Sequence, residues 1–210
     1  LYGWTLGAGS NSITASHASL PGQPAQFSAT GVATTSAWDI TLLPVLPLTQ
    51  PVQAAFDSAV SRWHSLIVGD VPDVTLALPA NSCFTGQPAF NGTVDDLLIF
   101  VLVAPIDGAG GILGGTGICA QRAGTALPSA AAIILDAADL QNYASFLPTI
   151  ALHEVGHAVG IGAIWADRSL VASPGTTTPR YVGGGGKLGY WALRRATGTP
   201  GTNVPVEGNQ

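Results

Sequence analysis

Thr149-Ile-Ala-Leu-His-Glu-Val-Gly-His-Ala-Val-Gly-Ile-Gly-Ala-Ile-Trp165 sets two imidazoles four residues apart, with a carboxylate directly after the first. On a helix of about 3.6 residues per turn, His153 and His157 stack on one face and both Nε2 atoms reach a single cation. Glu154 falls about 100° round from His153, a poor angle for sharing the ion but a good one for touching a water bound to it. This is the pattern of a zinc-dependent hydrolase, with His153 and His157 as metal ligands and Glu154 as catalytic base. The alternative is an ordinary buried helix that happens to carry histidines. Against it, the chain has four histidines and two glutamates, and half of each set lies in these five residues. Pro148 suits the first helical turn, where its missing N–H costs nothing, and Gly160 and Gly162 suit the exit. Leu152, Val155 and Val159 gather opposite His153 as the stripe that buries the helix.

Working upstream, Trp38, Ile40 and Leu42 alternate as a strand. Behind Pro51, Val52, Ala55, Phe56, Ala59, Val60, Trp63 and Ile67 recur at helical spacing. Val74, Leu76 and Leu78 make a second strand, residues 97–103 a buried central strand, and residues 131–135 another before the histidine helix. The order predicts an α+β fold: a twisted mixed sheet, a backing helix and the histidine-bearing helix. Two Gly-rich stretches, 108–117 and 183–186, lack the Lys-Ser/Thr of a phosphate loop and read as flexible loops.

The histidine stretch resembles the active-site helix of the leishmanolysin-like zinc endopeptidases, a branch of the metzincins within the zincin fold. The resemblance extends through Asp95-Asp96-Leu-Leu-Ile-Phe-Val-Leu-Val-Ala-Pro-Ile-Asp107 and Asp136-Ala-Ala-Asp-Leu140. It reaches back to Ala54-Ala-Phe-Asp-Ser-Ala-Val-Ser-Arg-Trp63 and covers roughly residues 36–210, with the helix motif its most specific part. It implies zinc as cofactor, a protein or peptide substrate, and a substrate cleft flanked by the first Gly-rich stretch. One departure stands out. Most metzincins place a third histidine three residues after the glycine of the extended motif, and here that position is Ala163. The leishmanolysin-like branch takes its third histidine from far downstream, ahead of a methionine-containing turn. This chain contains no methionine, and its other histidines, His17 and His64, lie upstream. The resemblance therefore implies a third ligand beyond residue 210. Asp167, Glu207, Tyr181 and Tyr190 are weaker candidates for the site.

Residues 1–33 read as two short strands around a Pro/Gly turn. They resemble the closing strands of a bacterial immunoglobulin-like repeat; the alternative is that they are the first strands or pro-segment of the peptidase, ahead of the catalytic domain expected over 36–210. Charged residues make up only 9% of the chain, and the net charge is −5. With no basic cluster, nucleic acid is excluded as a partner, and the longest apolar run is too short to span a bilayer. Cys83 and Cys119 are the only cysteines. As a sparse, even pair they predict a disulfide in a secreted or cell-surface protein; free thiols or zinc ligands are the competing readings. The function expected is a secreted zinc endopeptidase. The alternatives are a catalytically incomplete zincin-fold adhesion protein, and a zinc hydrolase acting on something other than peptide.

Overall fold

The computed structural model describes residues 9–15, 25–31, 38–193 and 203–206. The chain divides into two compact units, 1–35 and 36–210. In the first, β1 (Gly9–Ala15) and β2 (Ala25–Gly31) pair antiparallel, Ile13 opposite Phe27. The second unit is an α+β domain with a mixed sheet. Among the described residues no helix is long and apolar enough to cross a membrane.

The sheet is built on β6 (Leu97–Ala104), whose residues from Leu97 to Val101 are all at most 1% exposed. A strand buried on both faces reads as an unbroken apolar run, which is the pattern here. β3 (Ile40–Pro44) and β8 (Pro128–Asp136) lie parallel on either side of it, and β7 (Gly114–Gln121) closes the far edge antiparallel to β8. Because side chains alternate across a strand, Leu97, Ile99 and Val101 face one core and Leu98 and Phe100 another.

The first core is covered by α1 (Gln50–His64) and α2 (Leu147–Ala158). Val52, Ala55, Phe56 and Ala59 bury one stripe of α1 at helical spacing. Fully burying a side chain such as Phe56 contributes about 2 kcal/mol. Helix α2 buries Leu147, Ala151, Val155 and Ala158, whereas Leu152 and Val159 are only half-buried. The buried stripe is thus rotated from the one expected, because α1 packs alongside α2 as well as the sheet beneath it. Gly156 serves that packing. A Cβ there would stand 3.0 Å from Cζ2 of Trp63, whose indole N–H donates to the Leu152 carbonyl at 3.2 Å.

The second core lies under a hairpin of β4 (Val74–Leu78) and β5 (Phe90–Val94), and Cys83 in its connection is bonded to Cys119 of β7 across a Cα separation of 5.0 Å. The expected disulfide is present, but Cys119 sits in a strand and not in a Gly-rich loop. After α2, β9 (Val171–Ala172), β10 (Arg180–Tyr181) and β11 (Val204–Pro205) form a small sheet, with α3 (Gly184–Leu193) between the last two.

Both Gly-rich stretches differ from expectation. Residues 114–117 are strand, since β8 supplies the pairing that their composition does not advertise. The run 184–186 opens α3, packed on the ring of Tyr181 so closely that a Cβ at Gly186 would collide with it. Residues 105–113 do form a loop, and Asp136 at the end of β8 fastens it. Its Oδ2 accepts the backbone N–H groups of Ile106, Asp107 and Gly108 at 3.3, 3.0 and 3.1 Å, and Oδ1 accepts that of Ala138 at 2.8 Å. These four donors, Ala138 and Asp107 foremost, hold its carboxyl below the usual aspartate range.

Candidate metal centre

Helix α2 ends in a way that shapes the site. Val159 caps it, and Gly160 adopts φ +107°, a backbone conformation open to glycine. The Gly160 N–H returns to the His157 carbonyl at 2.9 Å and the Ile161 N–H to that of Gly156 at 3.0 Å, the paired bonds of a Schellman motif. That reversal brings the Ile161 carbonyl 2.7 Å from Nδ1 of His157. A carbonyl only accepts, so Nδ1 carries a proton and Nε2 is the ring nitrogen left for a metal.

That nitrogen faces His153. The two Nε2 atoms are 3.0 Å apart, with the rings nearly perpendicular at 88°. A tetrahedral zinc ion with N bonds of ~2.05 Å spaces its ligands by ~3.3 Å, so the pair is within a few tenths of an ångström of a shared ion. The donor set fits two positions of a zinc site, since both groups are imidazoles and their Nε2 atoms converge. Among the described residues no third His, Cys, Asp or Glu joins them.

Glu154 is 6% exposed, tucked between α2 and β7. The Thr116 hydroxyl lies 2.6 Å from its Oε2 and 3.0 Å from its backbone carbonyl. Among the described residues Oε1 takes no hydrogen bond. Sequence reasoning missed Thr116, which is 38 residues from Glu154 and has no local spacing that links the two.

His153 is exposed and His157 half-buried. Both line a mainly apolar hollow of about 360 Å³ with Trp63, Leu152 and Ile161. His157 also borders a second hollow of about 460 Å³, walled by Trp165, Val171, Pro179 and Val206. A more open hollow of about 610 Å³ between residues 121–126 and 167–169 shares no lining residue with the histidines.

The weaker candidates are placed elsewhere. Asp167 accepts a hydrogen bond from Gln121 at 3.2 Å, and His64 accepts the Ile40 N–H at 3.3 Å. Tyr181 packs against Trp165 with ring centroids 4.6 Å apart. Glu207 and His17 lie outside the described residues. Gly156 and Gly160 admit Trp63 and Ile164; a Cβ on Gly160 would stand 2.8 Å from Cδ1 of Ile164.

One acidic group, Asp70, Asp95 and Asp96, brings carboxylate oxygens within 4.8 Å of one another. The Asp96 carboxylate is already committed to the N–H groups of Asp39 and Val71 at 2.6 and 3.0 Å. The guanidinium of Arg122 donates to the carbonyls of Asp95 and Asp96, each at 2.7 Å, and supplies a nearby positive charge. Desolvation, then the charges of Asp96, Asp73 and Asp70, push the Asp95 carboxyl above the usual aspartate value.

No family model matches this chain, and no curated protein matches it in sequence.

Proposed function

We propose that residues 36–210 belong to the catalytic domain of a secreted zinc-dependent endopeptidase of the leishmanolysin-like, zincin kind. One observation carries the reading: two imidazole nitrogens converge at 3.0 Å on the helix that also carries a buried carboxylate, one of whose oxygens is held by Thr116. The motif and its resemblance support it, as does the order of sheet, backing helix and histidine helix. The Cys83–Cys119 bond supports an oxidising compartment.

His153 and His157 would hold zinc as neutral ligands, leaving its charge undiminished. Zinc would lower the pKa of water and polarise the scissile carbonyl. Glu154 would take the attacking water's proton at Oε1 and return it to the leaving amine. An extended peptide would pair with the edge of β7 that no described strand occupies, where Gly115 and Gly117 are exposed and leave the backbone open. The third protein ligand would come from outside the described residues, since two histidines leave a tetrahedral site one protein donor short. The first unit would be the end of an immunoglobulin-like module preceding the peptidase.

The test is zinc content and cleavage of an unfolded protein substrate, measured together on the full-length natural protein. Glu154→Gln should keep its zinc and lose roughly 10²- to 10⁴-fold in turnover, while His153→Ala and His157→Ala lose both. Equal zinc loss in all three variants would make Glu154 a ligand and not a base. A wild-type protein that takes up no zinc would sink the reading.

A further inference from the structure

We infer that Thr116 is the positioning residue for Glu154, holding Oε2 so that Oε1 is the oxygen left to work; this rests on the endopeptidase reading above. A hydroxyl has one proton, and Thr116 has two acceptors within reach. The 2.6 Å separation lies in the range of charge-assisted O–H···O⁻ bonds, so the proton goes to the carboxylate and the carbonyl at 3.0 Å is its secondary neighbour. A glutamate side chain turns about three bonds, and at 6% exposure its carboxylate has little water to orient it. One fixed oxygen removes most of that freedom, and it fixes which oxygen remains free.

The run Gly114-Gly115-Thr116-Gly117 makes the contact possible. A Cβ at Gly114 would stand 2.9 Å from Cδ2 of Leu135 and 3.2 Å from the Ile134 carbonyl oxygen, so a larger residue there would press on the paired strand β8 and disturb the seat of β7 beside Glu154, whose Cγ is 3.7 Å away. Cβ atoms at 115 and 117 would meet nothing within 4 Å, because those positions face away. Thr116 is therefore the hydroxyl-bearing residue of the strand that reaches the base, and it lies on the strand proposed to receive the peptide. Substrate backbone and catalytic carboxylate are aligned by the same residue.

The competing reading is that the hydroxyl merely satisfies a buried carboxylate. Thr116→Val keeps the shape and removes the proton; Thr116→Ser keeps the proton. In the zinc-loaded full-length protein, Thr116→Val should lower kcat roughly 10- to 100-fold with KM unchanged within about twofold, and Thr116→Ser should restore most of it. Carboxyl ¹³C labelling of glutamate gives a Glu154 resonance, assigned by its loss in Glu154→Gln. At fixed pH that resonance should move in Thr116→Val and stay put in Thr116→Ser, whether or not the protein is active. If the valine variant does not fold, Thr116→Ala takes its place. An unmoved resonance, an unchanged kcat, or a serine variant as impaired as the valine one would overturn the inference. A resonance that moves as expected in a protein that binds zinc yet cleaves no peptide would leave the Thr116 contact standing and remove the endopeptidase reading instead.

Discussion

The two faces of the central sheet are stabilised by different means. Among the described residues sixteen apolar ones are buried on the helix face, among them Phe56, Ile99, Ile133 and Val155. On the hairpin face there are five, two of them alanines, and a disulfide ties the hairpin to the edge strand. A thick core holds α2 firmly enough to present exposed polar side chains in one arrangement, whereas a thin core leans on a covalent link. The candidate metal centre grows from the thick side. Its polar groups are an addition to a helix already anchored by Ala151, Val155 and Ala158, all 0% exposed.

The strongest test of this contrast is to remove the link. Replacing Cys83 and Cys119 together by serine should cost up to about 4 kcal/mol of stability, by the entropy of the freed loop. Below the melting transition, zinc binding should persist. Zinc loss at temperatures where the variant is still folded would show that the two faces are not independent.

A smaller effect is expected at the helix exit. Gly160→Ala strains a backbone at φ +107° and sets a Cβ against Ile164. It should lower zinc affinity roughly tenfold, because the Ile161 carbonyl would lose its place on Nδ1 of His157. Competition with a chromophoric chelator measures this directly. An unchanged affinity would mean that the ring is oriented without its backbone partner.

Two aspartates give the smallest and most diagnostic effects, of opposite sign. Asp136 has a lowered folded pKa, so its contribution is present above the ordinary value of 3.8 and is lost as pH falls through the folded one. Asp136→Asn should lower the thermal midpoint by roughly 5 °C at neutral pH, with the difference closing in acid. Asp95 has a raised folded pKa, so stability present below 3.8 is lost as pH rises through the folded value. Asp95→Asn should therefore raise the neutral midpoint slightly, by no more than ~2 °C, again with closure in acid. Melting curves from pH 3 to 7 decide both, and equal signs would contradict the hydrogen-bond geometry at Asp136.

Much of this fold is legible in the sequence where side-chain pattern dictates structure. Helices α1 and α2 follow from periodicity behind Pro51 and Pro148, and β3, β4, β6 and β8 from alternation or unbroken apolar runs. The strands β5 and β7 were not legible. Strand β5 shows no unbroken apolar run, and a strand with three glycines reads as a loop, because glycine has no side chain to mark a face. Their strand character comes from partners elsewhere in the chain, β4 and β8. The site divides the same way. His153, Glu154 and His157 share one helix and declare themselves by spacing; Thr116 belongs to the site only because β7 is folded against that helix.

Strand β7 also has a consequence for handling the protein. Among the described residues it pairs only with β8, and it carries no Lys, Arg, Asp, Glu or Pro along its length. Those are the residues by which edge strands discourage pairing with other molecules. The edge proposed to receive a peptide is therefore equally open to another copy of the same strand. Self-association should rise with concentration, and an extended peptide bound along the edge should suppress it.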